Sequence, residues 1–170
     1  AVKAFAEGVK LGDEETKAGR EAAIIKFKEA LTLYRAVGDQ REVAETLYCL
    51  GYNYQFQYEI QTAFGYYDEA RQIYLVLNER GEQARMLRIL GVLLAKTLGD
   101  MPKALTYYEQ CLMLYRAAGD PAGETVALIN LSDLYVDLGE FQKAVETSSQ
   151  SLATARTFGF RNAQYQSLSA

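Results

Sequence analysis

The chain has no histidine. That removes the commonest general base and the commonest metal ligand together. Cysteine occurs twice, at Cys49 and Cys111, with a spacing that suits neither a metal site nor a redox pair. Both read as small buried apolar residues, in keeping with a reducing cytoplasm. Proline also occurs only twice, at Pro102 and Pro121. No window approaches the roughly 18 apolar residues of a membrane span, and no stretch reads as a signal peptide. The net charge of -4 is modest and no basic face is dense enough for nucleic acid. There is no glycine-rich phosphate loop and no nucleophile elbow. The acidic pair Glu14-Glu15 falls on a polar turn and reads as solvated. Asn130-Leu131-Ser132 spells a glycosylation sequon, but within an expected helix whose Leu131 and Ser132 pack inward. No catalytic residue, metal ligand or cofactor emerges, so the expectation is a protein that is not an enzyme, located in the cytoplasm.

What the chain has is repetition. Ala23, Ala63, Ala104 and Ala144 recur at steps of about 40 residues. Four residues after each comes Phe27, Tyr67, Tyr108 or Ser148. One small residue per copy follows at Ala30, Ala70, Cys111 and Ser151, then Tyr34, Tyr74, Tyr115 and Ala155. The copies close on Gly38, Asn78, Gly119 and Gly159. A fixed period of this length marks stacked supersecondary units, not a closed globule with one cleft.

Each copy reads as two amphipathic helices. Leu47, Leu50 and Tyr54 share one helical face, and Ala63, Tyr67, Ala70 and Tyr74 share another. Glycine and asparagine tolerate the left-handed residue that ends a helix. The acidic residue after them (Asp39, Glu79, Asp120) suits the start of the next, and each proline sits where a helix begins. The spacing predicts helices near 2–12, 18–37, 41–57, 60–77, 81–98, 102–118, 121–138, 141–158 and 162–169, with no strand. Repeats fall at 1–38, 39–78, 79–119 and 120–159, with a partial fifth at 160–170. A longer loop is expected around Gly12–Thr16. An extra residue between Gly91 and Leu98 is expected to lengthen the turn, a π-bulge being the alternative. The chain does not begin with Met, and its last residues match only the front half of a copy. It is therefore expected to be one solenoid cut from a longer protein, with further repeats or another domain after it.

These residues resemble the tetratricopeptide repeat. Its large residue, Leu-Gly pair and aromatic are matched by Leu47, Leu50-Gly51 and Tyr54, with Ala63 and Tyr67 following. The next copy has Leu87, Leu90-Gly91, Leu94, Ala104 and Tyr108. The last has Leu128, Leu131-Ser132, Tyr135 and Ala144, and the first has Gly8, Leu11, Ala23 and Phe27. The phrases LYRAVGD and LYRAAGD are similar to the subclass of roughly 40-residue repeats known from kinesin light chains and bacterial effector proteins. The resemblance implies an all-α, right-handed superhelix of about four hairpins and part of a fifth, which binds other proteins.

It also implies where a partner would sit. The inner wall of such an array is lined by the first helix of each pair. Here that face carries Phe5 and Val9; Tyr48, Tyr52, Gln55 and Phe56; Arg85, Arg88, Val92 and Lys96; and Ile129, Asn130, Asp133 and Asp137. The wall runs from aromatic to basic to acidic, which suits a peptide or helix with a hydrophobic anchor and charges of both signs. The asparagine row that some relatives use is represented only by Asn130, with Cys49 and Ile89 in the other places. Two other roles remain open: an intramolecular regulatory segment controlling a downstream effector domain, and a self-assembly module stacking through exposed ends.

Overall fold

The computed structural model describes residues 1–14 and 16–159. Their helices are α1 (Val2–Gly12), α2 (Lys17–Val37), α3 (Gln40–Phe56), α4 (Ile60–Val76), α5 (Arg80–Leu93), α6 (Met101–Ala118), α7 (Pro121–Asp137) and α8 (Phe141–Thr157). No strand occurs among the described residues. Eight of the expected helices are therefore present within a residue or two, α5 apart, and the ninth lies outside the described residues. The chain divides into two compact units, Ala1–Asn78 and Glu79–Ala170.

The boundaries follow local chemistry. Gly38, Gly119 and Gly159 have φ of 76°, 66° and 72°, and Asn78 has 58°, so the left-handed terminators lie where the sequence puts them. Asp39 accepts from the Glu42 N–H and Asp120 from the Gly123 N–H, each satisfying a donor the helix leaves unpaired. Thr16 and Asp100 do the same for α2 and α6. Glu79 departs from this pattern. It occupies the cap position of α5 without a side-chain capping bond, because a glutamate oxygen stands one methylene further from the backbone than an aspartate's.

The extra residue in the third copy corrects the expectation of a longer turn. Leu94–Leu98 forms a π-helical turn continuing α5 and ending at Gly99, φ 73°. The widened turn absorbs one residue while keeping Leu93 and Leu94 buried, so the apolar face stays in register.

Packing within the first three hairpins rests on one recurring pair, a small residue on the first helix under an aromatic ring on the second. A Cβ on Gly8 would lie 2.8 Å from Phe27, one on Gly51 2.8 Å from Tyr67, and one on Gly91 2.6 Å from Tyr108. The missing side chain is the space the ring occupies. In the fourth copy both partners change together. Ser132 replaces the glycine and Ser148 the ring; the Ser132 hydroxyl donates to the Ala144 carbonyl at 3.1 Å and lies 2.7 Å from Ser148 Oγ. Hydrogen bonds there replace ring burial. The next layer is tighter still: Ala30, Ala70, Cys111 and Ser151 are wholly buried. In the first unit α1 packs on α2, α2 on α3 and α3 on α4; in the second α5 packs on α6, α6 on α7 and α7 on α8.

Candidate functional site

In the first unit the expected wall residues are placed by two helices. On α1, Phe5 is half-buried, edge-on to Phe27 at 5.5 Å and to Tyr34 at 6.5 Å, so much of its surface is spent inside its own hairpin. Val9 is exposed. On α3, Tyr48, Tyr52 and Phe56 lie one turn apart and their rings form a continuous chain. Tyr48 meets Tyr52 at 6.5 Å, and Tyr52 meets Phe56 at 4.7 Å. Tyr48 also leans on buried Tyr67 at 5.9 Å. Tyr52 and Phe56 keep 41% and 49% of their surface open, a large apolar area that the fold itself does not use. Gln55 is engaged, accepting from the Tyr67 hydroxyl at 3.0 Å. Tyr54, expected on the inward face, is only half-buried and stacks on Tyr66 at 5.5 Å.

Between α1, α2 and α3 lies a pocket of about 310 Å³, bounded by Val9, Gly12, Asp13, Arg20, Phe27, Tyr48, Cys49, Tyr52 and Asn53. Cys49, expected to be buried, is half-buried and lines it. Arg20 and Asn53 were not among the expected site residues. Arg20 is 7% exposed, and its guanidinium lies 4.0 Å from the centre of the Phe56 ring and 5.8 Å from that of Tyr52. Both have a signal in the sequence. Arg20 interrupts the apolar stripe that continues through Ala23 and Phe27, and Asn53 interrupts the one through Leu47 and Leu50.

In the second unit the charged residues neutralise one another. Arg85 Nε lies 2.7 Å from Glu82 Oε2, at angles that make it an ion pair and not a hydrogen bond. Lys96 Nζ donates to Asp137 Oδ2 at 2.6 Å. The expected passage from basic to acidic is thus a set of pairs spanning α5, its π-turn and α7. Arg88 is half-buried and faces Tyr108, Cys111 and Tyr115, where its charge opposes the effect of burial on all three. Burial pushes the Cys111 thiol up to about 12 and raises both tyrosine hydroxyls. Asp133 is raised by partial burial and by Asp137 one turn on, against the pull of Lys96. A small pocket of about 130 Å³ lies among Val92, Lys96, Tyr108, Asn130, Asp133 and Asp137. Ile129 is half-buried beside it in sequence. Leu131 and Ser132 are buried, as expected, so the sequon lies in packed helix. Among the described residues no cluster could hold a metal, and no helix is long and apolar enough to cross a membrane.

Residues 82–157 match the family model of the tetratricopeptide repeat. No curated protein matches the chain. Among solved structures it is similar to BtubC (BKLC) from P. vanneervenii, at 24% identity and a TM-score of 0.73 over 83% of this chain and 58% of that one. It is similar to the apo form of RapI at 18% identity and a TM-score of 0.85, over 96% of this chain and 45% of that one. A putative kinesin light chain of Podosopora anserina, described as having nearly identical TPR-like repeats, matches at 14% identity and a TM-score of 0.72, over 89% and 74%. The chain thus spans about half the length of the first two. The likeness is one of fold: an all-α array of tetratricopeptide-type repeats.

Proposed function

We propose that this tetratricopeptide-repeat chain is a non-catalytic interaction scaffold that binds a protein partner, as a peptide or a helix, along the first helices of its repeats. The observation that supports it best is the ring series of half-buried Tyr48 and exposed Tyr52 and Phe56, on a helix whose opposite face is locked into the core. Aromatic residues give large contact area at low entropy cost, and a rigid helix adds little ordering cost on binding. The pairs Arg85–Glu82 and Lys96–Asp137 supply charges of both signs that a partner can exchange for its own. The partner is then a segment with an apolar anchor and flanking charges, met in a bacterial cytoplasm.

The test is capture of partners by the chain from lysate, against a Tyr48→Ala/Tyr52→Ala/Arg88→Glu version of equal helicity. A protein retained by the first and lost from the second supports the reading. Equal retention by both removes these residues from the binding surface.

A further inference from the structure

Two residues that line the pocket between α1, α2 and α3 carry polar atoms that the fold leaves unanswered, and one of them, Arg20, also borders a second cavity beside Lys17, Glu21, Phe56 and Glu59. Arg20 Nη1 is buried and has no hydrogen-bond partner, and no carboxylate among the described residues pairs with its charge. Asn53, 3% exposed, donates from Nδ2 to the Cys49 carbonyl at 2.9 Å. A carbonyl can only accept, so that bond fixes the amide's orientation and leaves Oδ1 as the acceptor. Oδ1 is also buried and without a partner. Buried polar groups are almost always satisfied, because leaving one bare forfeits its hydration with no return. Two such residues lining one cavity, one a donor with full positive charge and one an acceptor, describe the complement of a ligand.

The rest of the cavity narrows the chemistry. Asp13 lines it together with Gly12, the last residue of α1, so the negative dipole end of that helix lies on the same side. A phosphate would suit Arg20 but would set its remaining oxygens against Asp13, Asn53 Oδ1 and that dipole end. A carboxylate carried next to an ammonium answers both sides. Phe27, Tyr48 and Tyr52 then provide apolar walls for a side chain. The volume of about 310 Å³ is at the small end of ligand pockets, room for one residue-sized molecule and not for a length of chain.

We propose that this pocket binds a free α-amino acid with an apolar or aromatic side chain, its carboxylate on Arg20 and its ammonium on Asn53 Oδ1 and Asp13. The site lies wholly in the first unit and does not require a protein partner, so it goes beyond the scaffold reading. An occupant would abut Tyr48 and Tyr52 and thereby alter the surface offered to a partner.

The experiment is isothermal titration and thermal unfolding of the whole 170-residue chain with L-phenylalanine and L-leucine as probes. The expected result is binding with a dissociation constant on the order of 0.1 mM, as suits a ligand of about a dozen heavy atoms, and a rise in Tm of a few degrees at saturating ligand. L-Phenylalaninamide, which lacks the carboxylate, should bind at least tenfold more weakly. Arg20→Met keeps an apolar side chain of similar length and removes the charge together with its contact with the Phe56 ring; Asn53→Leu keeps the shape and removes the acceptor. Each should lose binding; the ligand-free Tm of Asn53→Leu should hold or rise, since it deletes an unpaired buried acceptor, while in Arg20→Met the lost ring contact offsets that gain. If either variant fails to fold, the acid-to-amide comparison on the unaltered chain still decides. No response to either amino acid overturns the proposal and makes the cavity a site for ordered water. Binding that survives Arg20→Met, or equal binding of acid and amide, overturns it by placing the ligand elsewhere. Tighter binding of a tripeptide ending in phenylalanine than of phenylalanine itself overturns the free amino acid in favour of a peptide terminus.

Discussion

Replacing Gly51 by alanine and replacing Gly65 by alanine are the same chemical change within one helical hairpin, and they should act in opposite directions. At Gly51 a Cβ would fall 2.8, 2.9 and 3.0 Å from three atoms of the Tyr67 ring. That ring has no room to yield: it is 1% exposed, and its hydroxyl is tied to Gln55. Overpacking a well-filled core costs about 1–3 kcal/mol. Alanine recovers up to ~1 kcal/mol through its better helix propensity. The expected net is a loss of about 1–2 kcal/mol. At Gly65 nothing lies within 4 Å of the added methyl, and the residue is exposed in mid-α4. Only the propensity term remains, so Gly65→Ala should gain about 0.5–1 kcal/mol. Urea unfolding followed by circular dichroism reads both. The pair should be separated by about 2 kcal/mol, with opposite signs. A Gly51→Ala protein as stable as the parent, or more so, would refute the argument that the ring fills the missing side chain's space. Tyr67→Leu supplies the internal control. If the clash is with the ring, Gly51→Ala should cost less in the Tyr67→Leu background, a coupling of 1 kcal/mol or more.

Three further outcomes are expected. Cys111 keeps its proton in the folded chain to about pH 12, whereas an unfolded thiol ionises near 8.5. The stability tied to that proton is therefore complete below about pH 8 and lost as pH rises from there toward 12; Tyr108 and Tyr115, also raised, add to the same slope. Urea midpoints between pH 7 and 10.5 should be flat and then fall, with a shallower fall in Cys111→Ala. A thiol reagent at pH 8 should label half-buried Cys49 well before Cys111, which should react only on unfolding. Asp39→Ala should cost about 1 kcal/mol by removing the cap from α3, with circular dichroism and urea titration as the check.

The fourth copy shows how packing rules survive a change of residue. Ser132→Gly with Ser148→Tyr would restore the small-under-ring pair of the other three copies. Either change alone removes the Ser132–Ser148 contact without providing its replacement. The single changes should each destabilise and the double change should recover part of the loss, a coupling that a glycine or a tyrosine acting alone could not produce.

The elements and their period are legible in the residues alone. Apolar residues at helical spacing set the buried faces, and left-handed residues at Gly38, Asn78 and Gly119 set the ends. These are interactions over three or four residues, so the local sequence carries all of the information. The four-residue shift from Ala to aromatic, read in three copies, also located the core. Where a sequence choice depended on a neighbouring helix, the tertiary structure decided it. The extra residue after Gly91 became a π-turn and not a longer turn because Leu93 and Leu94 both had to stay buried, a requirement set by what packs against α5. Phe5, spaced like a wall residue, turned partly into its own hairpin because Phe27 and Tyr34 offered their ring edges. Arg20 and Asn53 stand 33 residues apart, and each alone is only a polar break in an apolar stripe. Their meeting in one cavity depends on how α2 packs beside α3, a long-range contact that no spacing along the chain expresses.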